Sequence, residues 1–343
     1  MLDNQNYIAQ KDTFDALGLA AATPTQLRHN FGIQTVQPTA EIRNIVFAGM
    51  GGSALQAEFI KAWPKLSVPF IVWRDYDLPD FVNEHTLVLV ASYSGNTEET
   101  LSSLAAARTK GAMIAVMAGG GKLKDEATAH GDVFAEIPKA VQPRMAVFYS
   151  FRMLVEVLVA FGVINSSTVQ ELEDASNHLE NSVGPWKKEV LVAENPAKQL
   201  AEKLVGKTPI IYSSAHLSAA AYKWKIGANE NGKNTAWYNL MPEFDHNEFM
   251  GWTSHPVEKP FAVIDLISEF DHPRIQKRFE VGDRLLSGMR PHSISVWAQG
   301  ETALEQLLYL VLFGDFVTIY MGILNGVNPS PVALIEKFKT ELG

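Results

Sequence analysis

The first half of the chain carries five short apolar runs separated by segments of helical spacing, and few architectures accept that pattern. The runs are residues 44–48 (NIVFA), 69–73 (PFIVW), 86–91 (TLVLVA), 112–117 (AMIAVM) and 133–137 (VFAEI). Between them 53–63 and 97–109 read as helices, and 145–162 reads as a long helix that closes the set. Strands that are apolar throughout need cover on both faces, and strands joined through helices pair in parallel. The pattern therefore predicts a parallel sheet between two helical layers. A polar, helix-like stretch from 166 to 205 leads into a second round, with candidate strands at 208–213, 261–266 and 293–297 and helices at 215–227, 272–287 and 301–326. TPIIYSSAHLSAAA in that round echoes NIVFAGMGGSALQA in the first. The expectation is an α/β protein of two doubly wound parallel-sheet domains packed together, 1–165 and 166–343.

Composition narrows the setting. Of the 343 residues 47% are hydrophobic and 20% charged, the balance of a soluble protein. The most apolar segment, 304–324, contains Gly314 and Asp315. A carboxylate is costly at the centre of a bilayer, so the segment reads as a buried helix of the core. A net charge of −9 speaks against non-specific attraction to nucleic acid or anionic lipid, and leaves room for a small basic pocket. There is no cysteine, which removes disulfides, thiolate metal sites and cysteine nucleophiles. The N-terminal residues show no basic stretch followed by an apolar one, and the expected location is cytoplasmic.

Two loops follow expected strands and open expected helices. The first is Gly49-Met50-Gly51-Gly52-Ser53-Ala54, and the second runs from Ser92 through Tyr93, Ser94, Gly95, Asn96 and Thr97 to Glu99. Such loops lie at the carboxyl ends of the strands, where an open sheet binds its ligands. Glycines let the backbone approach an anion, helix-start N–H groups point at it, and the hydroxyls of Ser53, Ser92, Ser94 and Thr97 add neutral donors. A phosphate monoester suits this set. Taken singly, Thr97 with its following acids also reads as a helix cap with a capping-box partner, and SGN as a turn. Gly49-x-Gly51-x-x-Ala54 with Asp75 also fits a Rossmann-type dinucleotide-binding oxidoreductase. Against it stand the extra donors of the second loop and Arg74, placed to pair with Asp75. No Walker-type G-x-x-x-x-G-K-S/T sequence is present, since Gly206-Lys207-Thr208 has Ala201 where the motif needs its first glycine.

GMGGSA followed by SYSGNTEET resembles the sugar isomerase (SIS) domain. With QPRMAVFYS, GANENGKNTAWYNLMPEFDHNEFMGW and VNPSPVALIEKFKTELG, the chain resembles the bifunctional phosphoglucose/phosphomannose isomerase family from residue 44 to 342. The resemblance implies tandem SIS domains in a homodimer without metal or organic cofactor. It also implies interconversion of glucose 6-phosphate or mannose 6-phosphate with fructose 6-phosphate. By the same resemblance Gly51, Gly52, Ser53, Ser92, Ser94 and Thr97 bind substrate, Arg144 sits near the reacting carbons, and Glu230 is the base. His246 assists ring opening and reaches into the partner's pocket. Lys339 matches the family's terminal lysine, with Lys337 two residues away.

Those residue types suit the chemistry. A carboxylate can take a proton from one carbon and return it to the next, and Asn229 and Asn231 flank Glu230 to orient it. Arg144 is a fixed positive partner for an enediolate oxygen. Composition alone offers plainer readings: an exposed loop acid for Glu230, a cap on the helix near Asn247 for His246, a surface charge for Arg144, a solvated terminal lysine for Lys339. A non-catalytic sugar-phosphate sensor, or an enzyme acting on an amino sugar phosphate, are the other function classes the loops allow.

Overall fold

Each of the two expected sheets is present, and each is wholly parallel. The computed structural model describes residues 1–139, 142–254 and 260–342. They form two compact units, Thr23–Asn177 and the combination of Met1–Ala22 with His178–Gly343.

In the unit Thr23–Asn177, β1 (Asn44–Gly49), β2 (Phe70–Trp73), β3 (Thr86–Ser92), β4 (Met113–Ala118) and β5 (Val133–Glu136) lie in the order β2-β1-β3-β4-β5. β3 is buried at every position, which is why its sequence does not alternate. On one side the helix Gly51–Ala62 packs on the helix Val147–Ala160, with the Phe59 ring edge-on to Phe148 and Phe151 at 6.3 and 5.1 Å. On the other, Leu104 and Ala107 of the helix Glu98–Thr109 and Leu123 and Ala127 of the helix Gly121–His130 close over Val46, Val88, Val90 and Val116. From β1 the chain goes to β2 on one flank, then crosses back to β3 on the other. The strand order therefore reverses between β1 and β3, and Gly49 ends β1 directly beside Ala91. The two hydroxyl-bearing loops follow these two strands, at the switch point.

The other unit repeats the device with four strands. β6 (Thr208–Ser214), β7 (Trp237–Met241), β8 (Phe261–Ile267) and β9 (Ile294–Trp297) take the order β7-β6-β8-β9. β7 has no counterpart among the expected strands. It is an edge strand whose Trp237 and Tyr238 are exposed, so it makes no apolar run. The helix Ala303–Leu324 is long and apolar enough to cross a bilayer, yet its apolar window is 94% buried within the structure. It packs on the helices Ser218–Glu230, Pro196–Leu204 and Ala16–Ala22. Asp315, the charge that breaks its apolar run, forms an ion pair with Lys223 of the helix Ser218–Glu230.

The chain divides differently from the expected 165/166 boundary. Residues 1–22 belong with the second half, because Leu2, Ile8, Leu17 and Ala20 are buried there and the Lys198 ammonium donates to the carbonyls of Leu2, Lys188 and Val190 at 2.6–2.9 Å. Most of the helix Ser167–Ser182 belongs with the first sheet, where the Ser176 hydroxyl donates to Pro24 O at 2.7 Å.

Both Lys223 and Asp315 are buried, so removing one charge strands the other in low dielectric. Asp315→Ala is expected to lower the unfolding free energy by about 3–5 kcal/mol. The double change Lys223→Met with Asp315→Leu should recover most of it, and urea denaturation of the three variants checks both.

Candidate active site

The two loops of the first sheet are joined through the hydroxyls picked out from the sequence. Ser53 Oγ accepts the Tyr93 N–H at 3.0 Å, tying the first loop to the second. Ser92 Oγ lies 2.7 Å from Thr97 Oγ1 and 3.4 Å from Ser94 Oγ, and it accepts the Gly95 N–H at 3.1 Å. Thr97 does stand at the N-cap position of Glu98–Thr109, but its side chain makes no cap bond. Its hydroxyl turns to Ser92 instead, so the capping-box reading fails and the hydroxyls gather into one cluster. Ser92 is buried at its base and Ser94 is exposed at its mouth. Arg144 is brought to the same place: a Cβ on Gly52 would lie 3.6 Å from the Arg144 backbone N, and the Arg144 residue is buried in the turn Pro143–Met145. Gly51, Gly52, Ser53, Ser92, Ser94, Thr97 and Arg144 thus all belong to one switch point.

A third loop, unnoticed in the sequence, supports this one. Gly119–Gly121 follows β4, and the helix start there spends its N–H groups on the second loop: Lys122 N–H on Asn96 Oδ1 at 3.0 Å, Leu123 N–H on Gly95 O at 3.0 Å. Gly95 has φ +72°, and a Cβ there would fall 1.7 Å from Gly120 O. The signal in the sequence was AGGG directly after an expected strand. Arg74, which could pair with Asp75 beside it, pairs with Glu58 at 2.5 Å, while Asp75 accepts the Tyr76 N–H.

Glu230, His246 and Lys339 belong to the other unit. Glu230 is half-buried and is the last residue of the helix Ser218–Glu230. Its asparagine neighbours bond to other elements. Asn229 Oδ1 accepts the Ala236 N–H at 3.1 Å, and Asn231 Nδ2 donates to Thr318 Oγ1 at 3.0 Å. These bonds fix the helix end. A Cβ on Gly322 would meet Asn231 O at 2.3 Å, so only glycine lets the core helix Ala303–Leu324 approach this closely. His246 ends the short turn Glu243–His246, exposed and with no hydrogen-bond partner among the described residues. The cap on the next helix comes from Asn247, whose Oδ1 accepts the Glu248 N–H at 2.5 Å. Lys339 lies in the helix Ala333–Leu342, but its side chain is outside the described residues; Lys337 is paired with Glu341 at 3.6 Å.

Topology separates Glu230 from His246 within one chain. The helix Ser218–Glu230 returns against the direction of β6 and ends beside the start of β7, as the Asn229–Ala236 bond shows. β7 then runs parallel to β6 and delivers the Glu243–His246 turn at the carboxyl edge. Five strand residues rise about 16 Å. Glu230 and His246 therefore stand at opposite edges of the second sheet.

Comparison with known proteins decides the family. Over 303 residues the chain is 35% identical to the bifunctional phosphoglucose/phosphomannose isomerase of Aquifex aeolicus, covering 88% of this chain and 90% of the relative. The protein of the same name from Caldicellulosiruptor bescii is 36% identical over 306 residues, again with 88% and 90% covered. The chain belongs to the bifunctional phosphoglucose/phosphomannose isomerase family. Residues 193–342 match the family model of the bacterial phospho-glucose isomerase C-terminal SIS domain, a span that holds Glu230, His246 and Lys339. The fold agrees: a crystal structure of a glucose-6-phosphate isomerase like protein from Thermus thermophilus aligns with a TM-score of 0.63 at 19% identity, covering 98% of each chain.

The loop geometry gives a graded expectation for two glycines. Gly51 has φ +50° with nothing within 4 Å of an added Cβ, so Gly51→Ala should cost only the left-handed strain of about 1–2 kcal/mol. Gly95→Ala adds a collision with the Gly120 carbonyl, and urea denaturation should show a clearly larger loss.

Proposed function

We propose that the chain is an aldose–ketose isomerase that interconverts glucose 6-phosphate or mannose 6-phosphate with fructose 6-phosphate through an enediolate. Family membership supports the reaction, and the observation that carries the phosphate assignment is the Ser92–Ser94–Thr97 hydroxyl cluster, unspent on capping, at the first switch point. In this reading backbone N–H groups and the hydroxyls of Ser53, Ser92, Ser94 and Thr97 hold the substrate phosphate, with Gly51 and Gly52 leaving it room. Arg144 stabilises the enediolate oxygen. Glu230 moves the proton between C1 and C2, and His246 and Lys339 carry the proton traffic of ring opening. No step is assigned to a metal or an organic cofactor, and EDTA is expected to leave turnover unchanged. In this reading the enzyme works in the cytoplasm as a homodimer, without a nucleic-acid or membrane partner.

The dimer is part of the mechanism. Base and histidine stand at opposite edges of one sheet, so the reading draws the histidine of each site from the other copy. A two-fold axis then makes two equal sites.

Three measurements test this. Ser94 is exposed, and among the described residues its hydroxyl makes only long hydrogen bonds, 3.3 Å from the Asn96 N and 3.4 Å from Ser92 Oγ. Ser94→Ala should therefore barely change stability yet raise KM for fructose 6-phosphate at least about tenfold, or ~1.4 kcal/mol. An unchanged KM would return the loop to a plain helix entry. Glu230→Gln should lower kcat by roughly 10²–10⁴ with substrate affinity retained by calorimetry. Finally, a Glu230→Gln chain refolded together with a His246→Ala chain should recover about a quarter of wild-type turnover, because about half the dimers are mixed and each holds one intact site. No recovery would place both residues in one copy's site.

A further inference from the structure

His246 is the exposed tip of a segment whose neighbours are all tied down. On one side Phe244 is fully buried, its ring 4.5 Å from that of Tyr212 and 5.7 Å from that of Phe249. Asp245 accepts Arg278 of the helix Pro273–Leu285 at 2.5 Å. On the other side Glu248 uses both carboxylate oxygens: one accepts the Tyr212 hydroxyl, the other accepts Asn239 Nδ2 at 2.6 Å. Tyr212 on β6 and Asn239 on β7 are partners in register, so they share a face of the sheet and meet one carboxylate together. The phenol is itself pinned, since the Arg290 guanidinium lies 5.7 Å above its ring. Burial, and then the hydrogen bond to Glu248, push the Tyr212 phenol well above its ordinary pKa, so it remains a donor.

We infer that Glu248 and Asp245 are positioning residues, anchored to the sheet by Tyr212 and Asn239 and to the neighbouring helix by Arg278, which hold His246 outward for ring opening. The inference rests on the proposed function and adds residues it does not use. A carboxylate with both oxygens occupied by the sheet is poorly placed to exchange protons with substrate. A segment fixed at positions −1 and +2, around an imidazole with no hydrogen-bond partner among the described residues, leaves that ring little freedom except rotation about its own side-chain bonds. Such anchoring suits a group that must meet its substrate without support from its own fold.

A double-mutant cycle separates positioning from packing. Glu248→Ala should lower kcat about 10²-fold, the scale expected when a catalytic group is displaced by an ångström, with KM changed less than twofold. In a His246→Ala background the same change should cost no more than a further twofold. A full further loss in that background would overturn the inference, since Glu248 would then act independently of His246. Tyr212→Phe keeps the ring against Phe244 and removes only the hydroxyl; it should reproduce the pattern at about tenfold if Glu248→Ala folds poorly. A drop in melting temperature with kcat intact would also overturn the inference. The cycle needs no assumption about which copy receives His246. Refolding Glu248→Ala chains with Glu230→Gln chains reads that point separately: recovery there, and none with His246→Ala chains, puts the anchored segment in the other copy's site. If the Glu230→Gln and His246→Ala pair itself fails to recover, the shared-site reading falls and the cycle still decides the role of Glu248.

Discussion

The packing of the helix Ser218–Glu230 on the core helix Ala303–Leu324 is the constraint on which the second unit's chemistry depends. Burying a helix of 22 residues on nearly every side leaves few places where a polar group is tolerated, and three of its polar groups meet the helix that ends in Glu230. Asp315 meets Lys223, Thr318 meets Asn231, and the carbonyl of Leu310 accepts the Trp224 indole at 2.7 Å. These contacts are spaced along one helix face, so the helix can neither slide nor rotate without leaving a buried group unpaired. The position of the last residue then follows. Hydrophobic burial alone would have tolerated several registers; the polar pairs select one.

The first switch point works by the opposite means. Its donors are backbone N–H groups and hydroxyls, and the structure devotes three glycine-bearing loops to holding them together. Neutral donors bind an anion by converging on it rather than by net charge, so their positions have to be set in advance. That explains why the start of the helix Gly121–His130 is spent on Asn96 and Gly95 instead of on a ligand of its own. The buried Ser92 hydroxyl works similarly: it touches Ser94, Gly95 and Thr97, and so sets the shape of the whole turn. In the proposed function, a chain of net charge −9 receives a phosphate monoester through such a local concentration of donors.

Much of this was legible in the sequence, and the failures have physical causes. The strands at 44–48, 86–91 and 261–266 lie within a residue of β1, β3 and β8, because central strands buried on both faces must be apolar throughout. β7 escaped since an edge strand can expose aromatic residues and sit in a polar stretch. The helix Gly121–His130 buries only Leu123 and Ala127, one turn apart, which is too little to show a period. Residues 1–22 were assigned to the wrong half because their anchor is Lys198, a residue type that almost always reads as solvated. The loops were found from residue type alone, yet the partners within them were not. Thr97 looked like a cap and turned to Ser92; Asn229 and Asn231 sit beside Glu230 and also bond Ala236 and Thr318. Adjacency in sequence says little about where a side-chain amide points when the chain reverses direction beside it.

In the proposed mechanism Glu230 is the base and His246 the ring-opening group, and their settings differ as those two tasks do. The base shuttles a proton between adjacent carbons, so its position relative to the substrate backbone must be reproducible, and it sits on a helix end fixed by buried polar pairs. The ring-opening group acts at the ring oxygen and anomeric hydroxyl and withdraws once the chain is open. An exposed imidazole on a short anchored turn suits that task, because it can rotate without disturbing the sheet beneath. A two-fold assembly that lends this turn to its neighbour would couple ring opening to dimer formation while leaving the proton-transfer base within each copy. Such a copy, alone, would keep its phosphate loops and its base and lack only the group that opens the ring.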